Sequence, residues 1–278
     1  MRMKRSSIGL VIAAMAFAII ACGQADTPEA RRARGLDILT RLGSTLTSAQ
    51  TVSFKAVERG ERVRRSGEKR AVTLNHVVQM RRPDRLHVSV TGDYELDLNY
   101  DGKQIMLVTP KQKVYGVVPA SGPLQDVVQD TVDRFDIPFP LGDLVTFEGP
   151  ASLINDKTQG GWSGDETLNG QRVSKVAWQH PAVDWAVWVP TEGQPLPVRV
   201  EILYKGRRGS PSRAFELSGW ELGGAIPDST FVVNVPEDYE GIPVVQRASA
   251  VKQEIDKAKT EGTVAPASAP AAPSKEKP

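Results

Sequence analysis

Apolar and polar residues alternate with a period of two along most of this chain, and the alternation is interrupted once. Val52-Phe54-Ala56, Val72-Leu74-His76-Val78, Leu86-Val88-Val90 and Tyr94-Leu96-Leu98-Tyr100 each place, His76 apart, apolar side chains on every second position, as half-buried strands do. Asp101-Gly102 and Lys111-Gln112 turn the chain into Ile105-Leu107 and Val114-Val117. The same pattern resumes after Asn169-Gly170 with Val173 to Trp178, Val183-Trp185-Val187-Val189, Leu196 to Tyr204, Phe215-Leu217 with Trp220, and a last short run, Phe231 to Val233. Some ten or eleven strands joined by tight turns make an antiparallel meander. The break lies at Ser121 to Val145. There Leu124, Val127, Val128, Val132 and Phe135 recur at helical spacing, Asp136-Ile137-Pro138 stops the helix, and Phe139-Pro140-Leu141 opens a second short one. A long sheet must have one face covered, so this insert is expected to lie on it as a lid.

A leucine stripe at Leu36, Leu39, Leu42 and Leu46 predicts an amphipathic helix over Ala33 to Ala49, packed at one end of the sheet. The arginines and glutamates from Glu58 to Arg70 read as a solvated hairpin tip, and the glycine-rich Gly149 to Asp165 as an exposed loop. Ala248 to Lys259 suits a polar helix. Gly262 to Pro278, made largely of Ala, Pro, Ser, Lys and Glu, reads as a disordered tail; solvation explains it more simply than a cell-wall or partner contact.

The first residues change the picture of where the chain works. Met1 to Arg5 is basic and Ile8 to Ala21 is an unbroken apolar run of fourteen residues, short for a membrane span and right for an export signal. It ends in Ile19-Ile20-Ala21-Cys22, which resembles a bacterial lipobox. That resemblance implies a lipid (palmitate-type) anchor on Cys22, with an ordinary signal peptide cut nearby as the alternative. Cys22 is the sole cysteine, and acylation removes the liability of a lone thiol in an oxidising space. Gly23 follows it where lipoproteins held at the inner membrane often carry Asp, which favours the outer membrane, facing the periplasm, of a Gram-negative cell. The organisation expected is a signal peptide at 1–21, a tether at 22–32, one domain at 33–246 with its lid at 121–145, and a polar tail at 247–278.

Charge then loses its apparent meaning. The formal net charge is +2, but three of the 35 basic residues, Arg2, Lys4 and Arg5, lie in the leader; the remainder carries 32 basic against 33 acidic residues. No basic field argues for nucleic acid. No phosphate-binding glycine loop or Gly-x-Ser-x-Gly elbow is present, and His76, His87 and His180 are scattered without metal-ligand spacing, so they read as surface or rim residues. No cofactor, no metal and no enzyme is expected. Trp185 and Trp188 fall on opposite phases of one strand, so one of them lines a cavity or packs at an edge.

Several stretches together resemble a known group: Gly35-Leu36-Asp37-Ile38-Leu39, Arg82-Pro83-Asp84-Arg85-Leu86, Tyr100-Asp101-Gly102-Lys103, Phe135 to Leu141, and Asp184 to Val189 followed by Pro195-Leu196-Pro197. They look like an uncharacterised family of predicted periplasmic proteins, over about Gly35 to Val244. That family is similar in fold to the LolA/LolB-like lipoprotein carriers and acceptors. The resemblance implies a mainly β (α+β) fold, an unclosed antiparallel β-barrel of about eleven strands with an N-terminal helix and a helical lid over an apolar cavity. With the lipobox, the expected function is a non-catalytic, lipid-anchored protein binding an acyl chain, lipid or lipoprotein; the insert and strand pattern offer Leu124, Val128, Phe135, Phe139, Leu144, Trp178 and Trp185 as candidate lining. The alternatives are that these residues fill a packed core and that the protein regulates or scaffolds an envelope protein partner.

Overall fold

In the computed structural model, residues 27–246 are described, apart from 136 and 138–140. Helix α1 (Pro28–Ser48) leads into β1 (Thr51–Val63), β2 (Lys69–Arg81), β3 (Arg85–Gly92), β4 (Leu96–Tyr100), β5 (Gln104–Thr109) and β6 (Val114–Pro119). Helices α2 (Leu124–Phe135) and α3 (Gly142–Val145) follow, then β7 (Gln159–Leu168), β8 (Gln171–Gln179), β9 (Asp184–Pro190), β10 (Arg199–Leu203), β11 (Ser212–Leu222) and β12 (Glu240–Gly241). One sheet holds all twelve strands in the order β12-β6-β5-β4-β3-β2-β1-β11-β10-β9-β8-β7. Only the β12–β6 pair is parallel, and the two edges, β12 and β7, are not joined to each other.

The inner face is read directly from strand parity. Val52, Phe54 and Ala56 on β1 meet Leu74, Val78 and Met80 on β2, Leu86, Val88 and Val90 on β3, and Val176, Trp178, Val187, Phe215 and Leu217 from the other half of the sheet in one continuous core. Strands far apart in the sheet share that core, so the sheet curls into a half-barrel around it. The α+β half-barrel with an N-terminal helix and a helical insert is therefore the fold. The described residues hold twelve strands against the ten or eleven expected: β7 and the two-residue β12 left no pattern, and one expected run, Phe231 to Val233, is not a strand.

Helix α1 begins five residues earlier than its leucine stripe suggests, inside the stretch expected to be tether. The Thr27 hydroxyl accepts from the Ala30 amide at 3.2 Å, Pro28 stands in the first turn and Glu29 offsets the helix dipole there. Its buried side is Gly35, Ile38, Leu39, Leu42, Gly43 and Leu46. The two glycines let it lie against backbone. A Cβ on Gly35 would stand 2.8 Å from the Gly161 Cα, and one on Gly43 2.8 Å from the Gly149 Cα.

Three further expectations are corrected. The loop expected over Gly149 to Asp165 is strand β7 from Gln159 onward; glycines at 160, 161 and 164 hid its alternation. Phe231 to Val233 is not a strand: Phe231 closes a short 3-10 helix, Asp228–Phe231, and is buried. The hairpin tip is only Arg64 to Glu68, since β1 and β2 pair as far as Val63 and Lys69.

The insert sits on the concave face as expected. It is fastened at the end where β2 turns into β3: the Leu124 amide donates to the Pro83 carbonyl at 2.8 Å, and the Tyr100 hydroxyl donates to the Gly122 carbonyl at 2.6 Å. The tail at 247–278 and the leader with Cys22 lie outside the described residues.

Candidate functional site

Between the sheet and the helices runs a crevice formed by two adjoining cavities of about 480 and 530 Å³. Leu144, Leu153, Val200, Ile202, Tyr204 and Arg207 belong to both. The first cavity has a floor of Trp185, Val187, Val200 and Ile202 from β9 and β10, a wall of Leu39 and Leu42 from α1, and a roof of Leu144, Phe147 and Leu153. Its mouth is made by two turns. Ala182 and Val183 belong to one, Gly206 and Arg207 to the other, and the Gly206 amide binds the Ala182 carbonyl at 2.9 Å. The second cavity extends under α2, past Val128 and Val132 to Gln125, Asp126, Gln129 and Arg213, and is more polar.

Local sequence explains these walls. On β9 and β10 the phase Trp185, Val187, Val200, Ile202 faces inward. The register pairs Val200 with Val187 and Ile202 with Trp185, so four apolar side chains form one tile of the floor. The roof depends on a sharp turn: Leu141 adopts a left-handed backbone (φ 60°) before α3, and the amides of Leu144 and Val145 both bond to its carbonyl.

Of the residues expected to line a cavity, Trp185 lines the first, Val128 the second and Leu144 both. Trp178 is fully buried behind Trp185, ring centroids 6.1 Å apart, with the Arg32 guanidinium 5.1 Å from its ring. Leu124 is buried in the core and Phe135 packs against it beneath Arg134. Phe139 lies outside the described residues. Trp188 belongs to the outer face, where it covers Val173 and Ala186, donates its indole N–H to Glu166, and lies beneath Lys175 and Arg199.

A buried polar cluster stands beside the second cavity. Glu58 and His76 are each 1% exposed, and His76 Nε2 lies 2.9 Å from Glu58 Oε2. Arg213, which lines that cavity, reaches the other oxygen of Glu58 at 3.3 Å. It does so over Gly60, its register partner, where an added Cβ would press on the Arg213 side chain at 3.2 Å. His76 is thus not a surface or rim residue. Both Glu58 and His76 fall on the inner phase of their strands, and following parity through the polar positions would have found them.

A second polar clamp holds α1. Arg34 stacks 3.7 Å over the Trp162 ring and bonds to Asp165 at 3.0 Å; Asp165 also accepts from the Trp162 indole at 2.8 Å and the Ser174 hydroxyl at 2.6 Å. Burial alone would raise the Asp165 carboxyl, but the Ser174 and Trp162 hydrogen bonds and the Arg34 charge outweigh it and hold it below its ordinary value. Among the described residues no group of three acids, histidines or cysteines could hold a metal, and no helix is long and apolar enough to cross a membrane.

Residues 36–245 match the model of a family described as "Predicted periplasmic protein (DUF2092)". The chain belongs to this family. It is the family that the sequence resembles, and its members are described as periplasmic. No curated protein matches the chain in sequence. Among solved structures it is similar to an uncharacterised conserved protein from Thermus thermophilus (10% identity, 74% of this chain and 97% of that one, TM-score 0.44). It is also similar to a LolA superfamily protein from Nitrosomonas europaea (9%, 72% and 98%, 0.39) and to lipoprotein LppX from Mycobacterium tuberculosis (15%, 72% and 97%, 0.40).

Proposed function

We propose that this DUF2092 protein is a non-catalytic, lipid-anchored envelope protein that holds an acyl chain, as a lipid or on a lipoprotein, between α1, the lid and strands β9 and β10. The observation that carries this reading is the first cavity: about 480 Å³, floored and roofed by Leu39, Leu42, Phe147, Trp185, Val200 and Ile202. That volume falls in the range of about 300–1,000 Å³ typical of small-molecule sites. Withdrawing ten methylenes from water is worth on the order of 8 kcal/mol before ordering costs, enough to hold a chain reversibly.

Acylation at Cys22 completes the proposal. More than one acyl chain makes attachment to a bilayer stable, and outer-membrane placement follows from Gly23. Five residues separate Cys22 from Thr27, a reach of at most about 18 Å. The start of α1 packs on the ends of β7 and β8, where Arg32 binds the Thr158 carbonyl, on the same side of the barrel as the β8–β9 and β10–β11 turns. An anchor there holds the mouth of the crevice near the membrane that supplies its ligand.

Native mass spectrometry of the full chain purified from envelope under mild conditions tests this reading. A co-purifying species of lipid mass, released by organic solvent, is the expected result. A stoichiometric protein partner with no lipid would replace carriage by a scaffolding role.

A further inference from the structure

We infer that the ligand is an anionic amphiphile held by a single apolar chain, its negative headgroup at Arg207. This rests on the acyl-binding reading and adds the chemistry of the headgroup. Of the described residues lining the first cavity, Arg207 alone carries a charge, and it stands at the mouth. The neighbouring basic side chains have partners. Lys205 pairs with Asp184 at 2.5 Å, Arg213 with the buried Glu58 at 3.3 Å, and Arg208 donates to the Arg65 carbonyl at 2.7 Å. Arg207 has the face of the Tyr204 ring, 4.5 Å from its guanidinium carbon, and among the described residues no carboxylate within ion-pairing distance.

A ligand's charged end stays at the mouth, because burying a charge unpaired among Leu39, Trp185 and Val200 is strongly unfavourable. At that mouth it meets a guanidinium, whose planar fork matches a carboxylate or phosphate in two parallel hydrogen bonds. The Tyr204 ring beside it restricts the guanidinium, which lies on the exposed turn. The one acid among the described residues lining the crevice, Asp126, stands in the second cavity under α2 and disfavours an anion at that end. The arrangement therefore orients the chain, tail inward from the turns and headgroup at Arg207. Carboxylate and phosphate share this chemistry.

The test uses the full chain stripped of bound lipid and competition against an apolar fluorescent dye at low salt. Palmitate, palmitate methyl ester and lysophosphatidylglycerol are titrated into wild type and Arg207→Gln, an exposed turn substitution that leaves the core untouched. The expected result is that wild type prefers the anions to the ester. Arg207→Gln should reduce that preference roughly three- to fivefold without changing ester affinity, and raised salt should do the same. The anion losing more identifies carboxylate or phosphate as the better fit. Equal loss for ester and anions, or no loss for either, overturns the headgroup assignment alone. Failure of dye, ester and anions alike to bind wild type removes the cavity reading, and this inference with it.

Discussion

At the scale of single residues, two polar clusters make separable predictions. Glu58 is buried against His76 and Arg213, so Glu58→Ala leaves the buried His76 and the partly buried Arg213 without their carboxylate. Breaking a buried pair this way costs about 3–5 kcal/mol, against less for Glu58→Gln, whose amide oxygen still accepts from Arg213. Urea midpoints measured at constant slope check the difference. Asp165 makes a pH prediction. Its carboxyl lies below the ordinary value of 3.8 in the folded protein, so the unfolded chain binds its proton first. The stability it contributes is fully present above that value and is lost as pH falls through the folded one. The stability gap between wild type and Asp165→Asn should therefore be widest near neutral pH and shrink steadily from about pH 5 to 3. A constant gap would mean that the clamp acts through shape alone. The residue scale was also the hardest to read from sequence. His76 and Glu58 looked solvated because they are polar, although strand parity places them inside with Phe54 and Val78.

At the scale of elements, most of the meander and the helical insert were legible, because period-two and period-3.6 patterns directly record which face of an element meets the core. What escaped was decided by backbone contact. Helix α1 lies against β7 through Gly35 and against the Glu148–Gly149 backbone through Gly43, and neither a glycine in a helix nor a glycine-rich strand leaves an apolar pattern. This contact makes a prediction of opposite sign to helix propensity. Alanine is the better helix former by about 1 kcal/mol, yet Gly43→Ala should destabilise by roughly 1–3 kcal/mol because its methyl group meets the Gly149 backbone. Ser44→Ala, exposed on the same helix, should be neutral or slightly stabilising, and thermal melts of the two variants decide the point. The start of α1 was written in Thr27-Pro28-Glu29, a capping signal that the leucine stripe, beginning at Leu36, overshadowed.

At the scale of the whole molecule, the half-barrel and its roof were anticipated, but the composition of the crevice was not. Val128, Leu144 and Trp185 were foreseen in its lining, whereas Leu39 and Leu42 were assigned to core packing and Phe147 and Leu153 were not singled out. A void is the difference between the space enclosed by elements and the side-chain volume filling it, and no local pattern records that difference. Trp178 shows the same limit: it shares an inward phase with the lining residues, yet lies in solid core. The crevice reaches the β8–β9 and β10–β11 turns, which the Gly206–Ala182 bond ties together, while the lid is fastened at the opposite end, at Pro83 and Tyr100. That polarity lets a chain enter without the lid leaving the sheet.

Placing an acyl chain against Trp185 is the central claim, and tryptophan fluorescence reads it most directly. A stearate brominated at mid-chain, titrated into the delipidated full chain, should quench emission saturably, and Trp185→Phe should abolish most of that quenching while Trp188→Phe leaves it intact. Quenching that survives in Trp185→Phe, or a wild-type signal that never saturates, would contradict an acyl site between α1 and the floor of the half-barrel.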